Sequence, residues 1–239
     1  MIQDDSFDRR RLLAAAGLGL AAAMPAAFAP LAAAVAAPAA PLDPDEGVTA
    51  PEDLMKEHGV LNRCLLVYEE GMRRIRAKQD VAPEVFLHTA ELVRTFVEEY
   101  HEKNEEKYIF PEFEKARKLV DLVATLKTQH LAGRRVTAEI LRLSQPSQFR
   151  TAANRIQLVA ACQAFIRMYR PHEAREDTVL FPALRTILSA KQVAALGDRM
   201  EEDEHKVLGE EGFERSVDKV ARLEVQLGID DLKQFTPRG

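Results

Sequence analysis

The chain has 239 residues, 30% of them charged, with 33 Lys and Arg against 38 Asp and Glu, for a net charge of -5. Leu and Ala are abundant, Gly is sparse and Trp is absent, a mixture that favours helices. The balance gives no basic footprint for nucleic acid, and two cysteines, Cys64 and Cys162, exclude a disulfide scaffold or a four-thiolate metal site.

The N-terminus reads as an address. Residues 1–36 carry Arg9, Arg10 and Arg11, then an Ala-rich apolar run ending in small-residue sites such as Ala34-Val35-Ala36. This resembles a twin-arginine export signal and implies a periplasmic protein whose leader is removed, with no stable membrane insertion afterwards; an uncleaved leader kept as a membrane anchor is the alternative. Residues 37–50 hold three prolines and no periodicity, and read as a linker.

The rest parses into helices. The first, about 51–78, places Leu54, His58, Leu61, Leu65, Tyr68, Met72 and Ile75 at alternating steps of four and three, a bundle seam. The second begins at Pro83, a residue favoured in a first helical turn, and carries Val93, Val97, Tyr100, His101, Glu105 and Tyr108 on its seam. The third carries Leu119, Val123, Leu126, His130, Gly133, Thr137 and Ile140. After "SQPSQ" the fourth carries Leu158, Cys162, Phe165, Tyr169, His172, Glu176 and Leu180. A fifth segment, about 190–227, is loosened at Gly209 and Gly212. The expected fold is all-α: an antiparallel up-down four-helix bundle over 51–190, with an additional C-terminal helix in 191–239.

Two stretches repeat one polar phrase. "HEKNEEKYIFP" starts at His101 and "HEAREDTVLFP" at His172, 71 residues later. His58 and His130 are 72 residues apart, so each half reads as a hairpin offering one His and then His-x-x-x-Glu. A spacing of four puts each His and Glu on one helix face. A single seam histidine is most simply a satisfied core residue. Four on four helices, with Glu105 and Glu176 on the same seams, demand a shared counter-charge, because an unpaired buried carboxylate is very costly. A pair of divalent cations supplies it and turns desolvation into coordination. Imidazole and carboxylate suit iron, manganese or zinc.

His58, His101-x-x-x-Glu105, His130 and His172-x-x-x-Glu176 together resemble the hemerythrin-like, or HHE cation-binding, domains over roughly residues 50–190. The resemblance implies a bundle holding two iron ions, with the histidines as terminal ligands and two carboxylates as bridges. Manganese or zinc are alternatives. Oxygen-carrying members have a second His one turn after the third-helix His, where this chain has Arg134. They also use His-x-x-x-x-Asp on the fourth helix, and Asp177 stands at that spacing beside Glu176, so either could bridge; the repeat and the stripe continued by Leu180 favour Glu176.

Other candidates surround the centre. His205 matches the height of His172 if the fifth segment folds back, but faces away from its own apolar stripe. Tyr100 and Tyr169 border metal-binding histidines as core residues or as donors to a bound oxidant. Gly133 leaves room for a small ligand or for close packing. His88 is expected to be an ordinary exposed residue, and the first Glu of each phrase, Glu102 and Glu173, is expected to face away from the centre, at the surface or behind the ligands. Pro111 and Pro182 are expected to kink or end their helices, and a Cys64–Cys162 disulfide is compatible with export. The functional expectation is capture or sensing of O2, NO or a related oxidant, with an unidentified redox partner. A peroxide-degrading enzyme using H2O2 and an iron-storage or iron-handling protein are the competing uses.

Overall fold

The computed structural model describes residues 49–237. The expected leader, 1–36, lies outside the described residues, as does the linker apart from Thr49 and Ala50. Among the described residues every regular element is helical, and no helix is long and apolar enough to cross a membrane.

Four long helical runs form the bundle. Helix α1 is Ala50–Arg76, opened by Pro51 in its first turn. Run α2 covers 83–116 and is composite: Pro83–Leu92 and Phe110–Ala116 are α-helical, while Val93–His101 and Glu105–Ile109 are wider π-helical turns. Helix α3 is Val120–Leu143. A short helix, Pro146–Phe149, fills the third connection. Run α4 covers 152–184, begins on a Thr151 cap that accepts from the Asn154 amide, and turns π-helical at Glu176–Leu180.

The core shows how the runs are oriented. One apolar cluster joins the end of α1 (Leu65, Tyr68, Met72), the start of α2 (Phe86, Val93), the end of α3 (Ile140, Leu143) and the start of α4 (Leu158, Phe165). The other joins Leu54 of early α1, Phe110 and Phe113 of late α2, Val123 and Leu126 of early α3, and Phe181 and Leu184 of late α4. Starts of odd runs therefore meet ends of even runs, which makes the bundle up-down-up-down.

Three details depart from the sequence expectation. The C-terminal segment is two helices, α5 (Ala190–Val207) and α6 (Gly212–Leu227). The chain turns between them through Gly209 at φ 78 and Glu211 at φ 56. Helix α6 sends Val220, Leu223 and Leu227 into the first cluster. Pro111 and Pro182 do not end their helices. Each sits in the first turn of α-helix that follows a π-helical turn, where the locally displaced hydrogen-bond ladder accommodates a residue without an N–H. Cys64 and Cys162 are both free thiols, fully buried in the apolar core.

Candidate metal centre

Between the two apolar clusters lies a buried polar layer. His58, His101, His130 and His172 are all buried, and Glu105 and Glu176 are completely so. Each bundle run contributes to it. The third connection, lengthened by Pro146–Phe149, lets His172 reach the height of His130, and their Nε2 atoms stand 3.3 Å apart.

The four rings are oriented alike. Every Nε2 points inward: His58 Nε2 lies 3.4 Å and His172 Nε2 3.2 Å from one Glu176 oxygen. His130 Nε2 lies 3.4 Å and His101 Nε2 3.7 Å from one Glu105 oxygen. None of these contacts has hydrogen-bond geometry, and all four carboxylate oxygens of Glu105 and Glu176 lack a hydrogen-bond partner. Three ligand-sized groupings result, with potential ligand atoms within 4.8 Å of one another in each: Glu105, His130, His172 and Glu176; His58, His101 and Glu105; and, on the outer side of His130, Glu102, Glu106 and His130. Buried carboxylates left without donors are among the costliest features a core can hold. A cation between them and the four nitrogens removes that cost. The residues therefore fit a metal site of hard and borderline donors.

Every Nδ1 points outward to a hydrogen-bond partner: His58 to Asp177 at 2.7 Å, His101 to Glu57 at 2.6 Å, His130 to Glu106 at 3.1 Å, and His172 to the Gln129 side-chain oxygen at 2.8 Å. This outer anchoring fixes the tautomer and aims Nε2 at the centre, as metal-binding histidines require. The repeat governs these partners too. Glu57 and Gln129 correspond across the halves, as do Glu106 and Asp177. Likewise Glu102 pairs with Arg134 at 2.8 Å, and Glu173 accepts from Asn62, which stands at the position equivalent to Arg134.

Further residues take defined places. Tyr100 donates to Glu57 at 2.9 Å and Tyr169 to Glu102 at 2.6 Å, so both hydroxyls are committed to carboxylates behind the site. Gly133 leaves no room for a ligand: a Cβ there would stand 2.0 Å from the Tyr169 hydroxyl. Asp177 serves His58 from behind, with its own side chain 35% exposed. His205 is exposed on α5 and joins no ligand grouping, and His88 is exposed on α2. Glu102 and Glu173 are buried behind the ligands and not at the surface, the second of the two places expected of them. The Phe of each phrase also packs on the site. Phe110 stacks on His130 at 5.4 Å and Phe181 on His58 at 5.7 Å, each flooring a histidine of the opposite half.

The charges of the protein groups interlock. Burial, with Glu176 beside it, pushes the Glu105 carboxyl up to about 8. Burial acts on Glu176 too, but the His172 and His58 rings outweigh it and hold that carboxyl low. His130 is opposed by burial yet raised to about 10 by Glu105 and Glu106. His58 is likewise raised by Asp177 and Glu176 against its burial. His101 is driven well down, by burial first and by the neighbouring His58 second. His58 and His130 thus hold protons against Glu176 while Glu105 keeps its own, and these are the protons a cation would displace.

A sequence profile described as the hemerythrin HHE cation binding domain matches residues 49–184. The chain belongs to the hemerythrin HHE cation-binding family. Similar proteins include an uncharacterized protein of Mycobacterium tuberculosis strain H37Rv and its counterparts in strain CDC 1551 and in Mycobacterium bovis. Each is 47% identical over 190 residues, covering 80% of this chain and 74% of the relative. No solved structure matches. In this hemerythrin-like bundle, sequence reasoning missed Glu57 and Gln129, which hold two of the four rings. The available signal was their place immediately before His58 and His130, at equivalent positions of the two halves.

Proposed function

We propose that the buried layer holds two iron ions and that the chain uses them to bind O2, NO or a related small oxidant. His58, His101, His130 and His172 are the nitrogen ligands in this reading, and Glu105 and Glu176 bridge the ions. The observation that carries it is the convergence of four Nε2 atoms on the buried carboxylates of Glu105 and Glu176, none of whose four oxygens has a hydrogen-bond partner. Iron, when bound, supplies reversible one-electron chemistry and exchangeable coordination positions. The protein's part is to hold each ring by its Nδ1, to exclude bulk water with apolar clusters on both sides, and to admit only small ligands. The export-like leader supports action in the periplasm, which fractionation with and without Arg9 and Arg10 tests.

Metal analysis of iron-supplied protein is expected to give about two irons per chain, with near-complete loss in His101→Ala and Glu176→Ala. Wild-type protein without iron, or unchanged content in both variants, would overturn the reading. Rapid mixing of the reduced protein with O2, NO and H2O2 then separates the uses. A stable optical change with O2 or NO supports ligand binding. Rapid O2 evolution from H2O2 identifies a peroxide-degrading enzyme instead, and metal loss on reduction identifies iron handling.

A further inference from the structure

Basic charge collects on one hairpin of the bundle. Runs α3 and α4 together hold eight Lys and Arg against five acids, and two of those acids, Glu173 and Glu176, are buried. Run α2 holds four against nine, and α5 three against five. Two fully exposed stripes at three-and-four spacing run along the hairpin, from Thr128 to Arg142 on α3 and from Ala160 to Thr178 on α4. Leu131, Arg135 and Ala138 lie on the first, and Ala164, Arg167 and Pro171 on the second; neither stripe holds an acid or a lysine. The Nε2 atoms of His130 and His172 stand 3.3 Å apart, so Leu131 and Pro171, each beside one of them in the chain, share the height of the polar layer. Arg135 and Arg167 are each five residues from those histidines, and the antiparallel runs bring them level about 7.5 Å further along the axis. Arg134, Arg142 and Arg170 are paired with Glu102, Glu139 and Glu69. Arg135, Arg167 and Arg175 make no ion pair among the described residues.

Arginine among small and apolar side chains, with lysine and carboxylates excluded, is the composition of a protein–protein contact and not of a solvated helix face. Leu131, 56% exposed at its middle, is left for a partner to cover. We infer that the outer face of α3 and α4 docks an acidic one-electron carrier protein, whose carboxylates pair with Arg135, Arg167 and Arg175. The guanidinium fork matches carboxylates in geometry as well as charge. A second copy packed face to face would set these arginines against their own equivalents, with no carboxylate on either stripe. A bilayer would find one large apolar side chain in the two stripes, where a membrane-bound face needs a row of them. The use of the contact rests on the two-ion reading above. The docked carrier gives up one electron and is oxidised, and a ferric ion of the buried layer takes it and becomes ferrous. His130 and His172 enter that layer from the two helices that form the contact.

The probes are two c-type cytochromes of opposite sign, an acidic bacterial one and the basic mitochondrial one. Calorimetry at low salt measures their binding, in the oxidised state, to the iron-loaded protein. The acidic cytochrome is expected to bind and the basic one not. Arg135→Glu with Arg167→Glu should weaken binding about tenfold, because charge reversal turns attraction into repulsion at the contact, and added salt should weaken it in the wild type. Both positions are exposed, so the variant keeps its fold and iron, which circular dichroism and metal analysis check. Lys219→Glu with Arg222→Glu, exposed on α6, makes the same change in net charge away from the face and should leave binding unchanged. Mixing with the reduced acidic cytochrome should then show slower haem oxidation in the α3–α4 variant, while reduction by dithionite proceeds as in the wild type. No binding, equal binding of both cytochromes, or equal loss in the two variants overturns this inference alone. So does a face that instead holds phosphatidylglycerol vesicles or a second copy, seen as vesicle binding or self-association that the α3–α4 variant loses. Wild-type protein without iron overturns the two-ion reading and the electron transfer with it.

Discussion

Replacing Gly133 by Ala tests how the bundle was fitted around Tyr169. The added Cβ would stand 2.0 Å from the Tyr169 hydroxyl oxygen and 2.8 Å from the ring carbon that bears it. Tyr169 is tethered, because its hydroxyl donates to buried Glu102 at 2.6 Å. Helix propensity alone favours Ala over Gly by about 1 kcal/mol. Overpacking a filled core costs about 1–3 kcal/mol, and a lost hydrogen bond to a charged group about 1.5–3 kcal/mol. The net expectation is destabilisation by about 3 kcal/mol, with the steric and hydrogen-bond effects outweighing propensity. Urea unfolding of the metal-free chain, by circular dichroism, gives the number. The same substitution in a Tyr169→Phe background should cost about 1 kcal/mol or less, because the ring is then free to shift. A cost under about 0.5 kcal/mol, or an equal cost in both backgrounds, refutes the argument.

Three other outcomes are expected. The metal-free chain should lose stability as pH rises from 6 to 10. His130 is raised from 6.5 to about 10, so its stabilisation is complete below 6.5 and lost through 10. Glu105, raised from 4.5 to about 8, stays neutral when folded while the unfolded carboxyl ionises, which lowers stability between those values. Melting temperatures in chelator that rise over this range would count against both assignments. Metal uptake at pH 7 should release about three protons, from His58, His130 and Glu105. Calorimetry of ferrous ion binding in buffers of different ionisation heat measures this, and zero release refutes it. Phe110→Ala and Phe181→Ala should each cost about 3–5 kcal/mol in urea unfolding. Their costs should be alike, since each ring floors one histidine; a negligible cost for either contradicts the stacking role.

The seams and the six central residues were legible because they violate an apolar pattern. Histidine and glutamate at alternating four-and-three spacing stand out, and the two matching phrases joined them into one site. Glu57 and Gln129 were not legible in this way. Each precedes a seam histidine by one residue, about 100° around the helix, where polar side chains are ordinarily solvated. Glu102 and Glu173 were legible only as groups at the surface or behind the ligands, and they take the second place, buried by Tyr169 and Arg134 in one case and Asn62 in the other. The π-helical turns at Glu105–Ile109 and Glu176–Leu180 follow no propensity rule. They recur at matching places in the repeat, and that recurrence was their only trace. The C-terminal helices separated where Gly209 and Gly212 had already weakened the helical pattern, because positive φ at Gly209 and Glu211 reverses the chain.

The polar layer that parts the two apolar clusters also bears on the lifetime of the chain. A core cut across its middle is completed by whatever binds there, and bound ligand adds stability in proportion to the logarithm of its supply. Chains made when metal is scarce are expected to open more often and meet proteases sooner, so that the amount of protein would follow the amount of metal. Pulse-chase measurement with and without a chelator reads this directly: equal half-lives would uncouple turnover from the centre. The His and Glu residues that equip the site would then also set how long each copy survives.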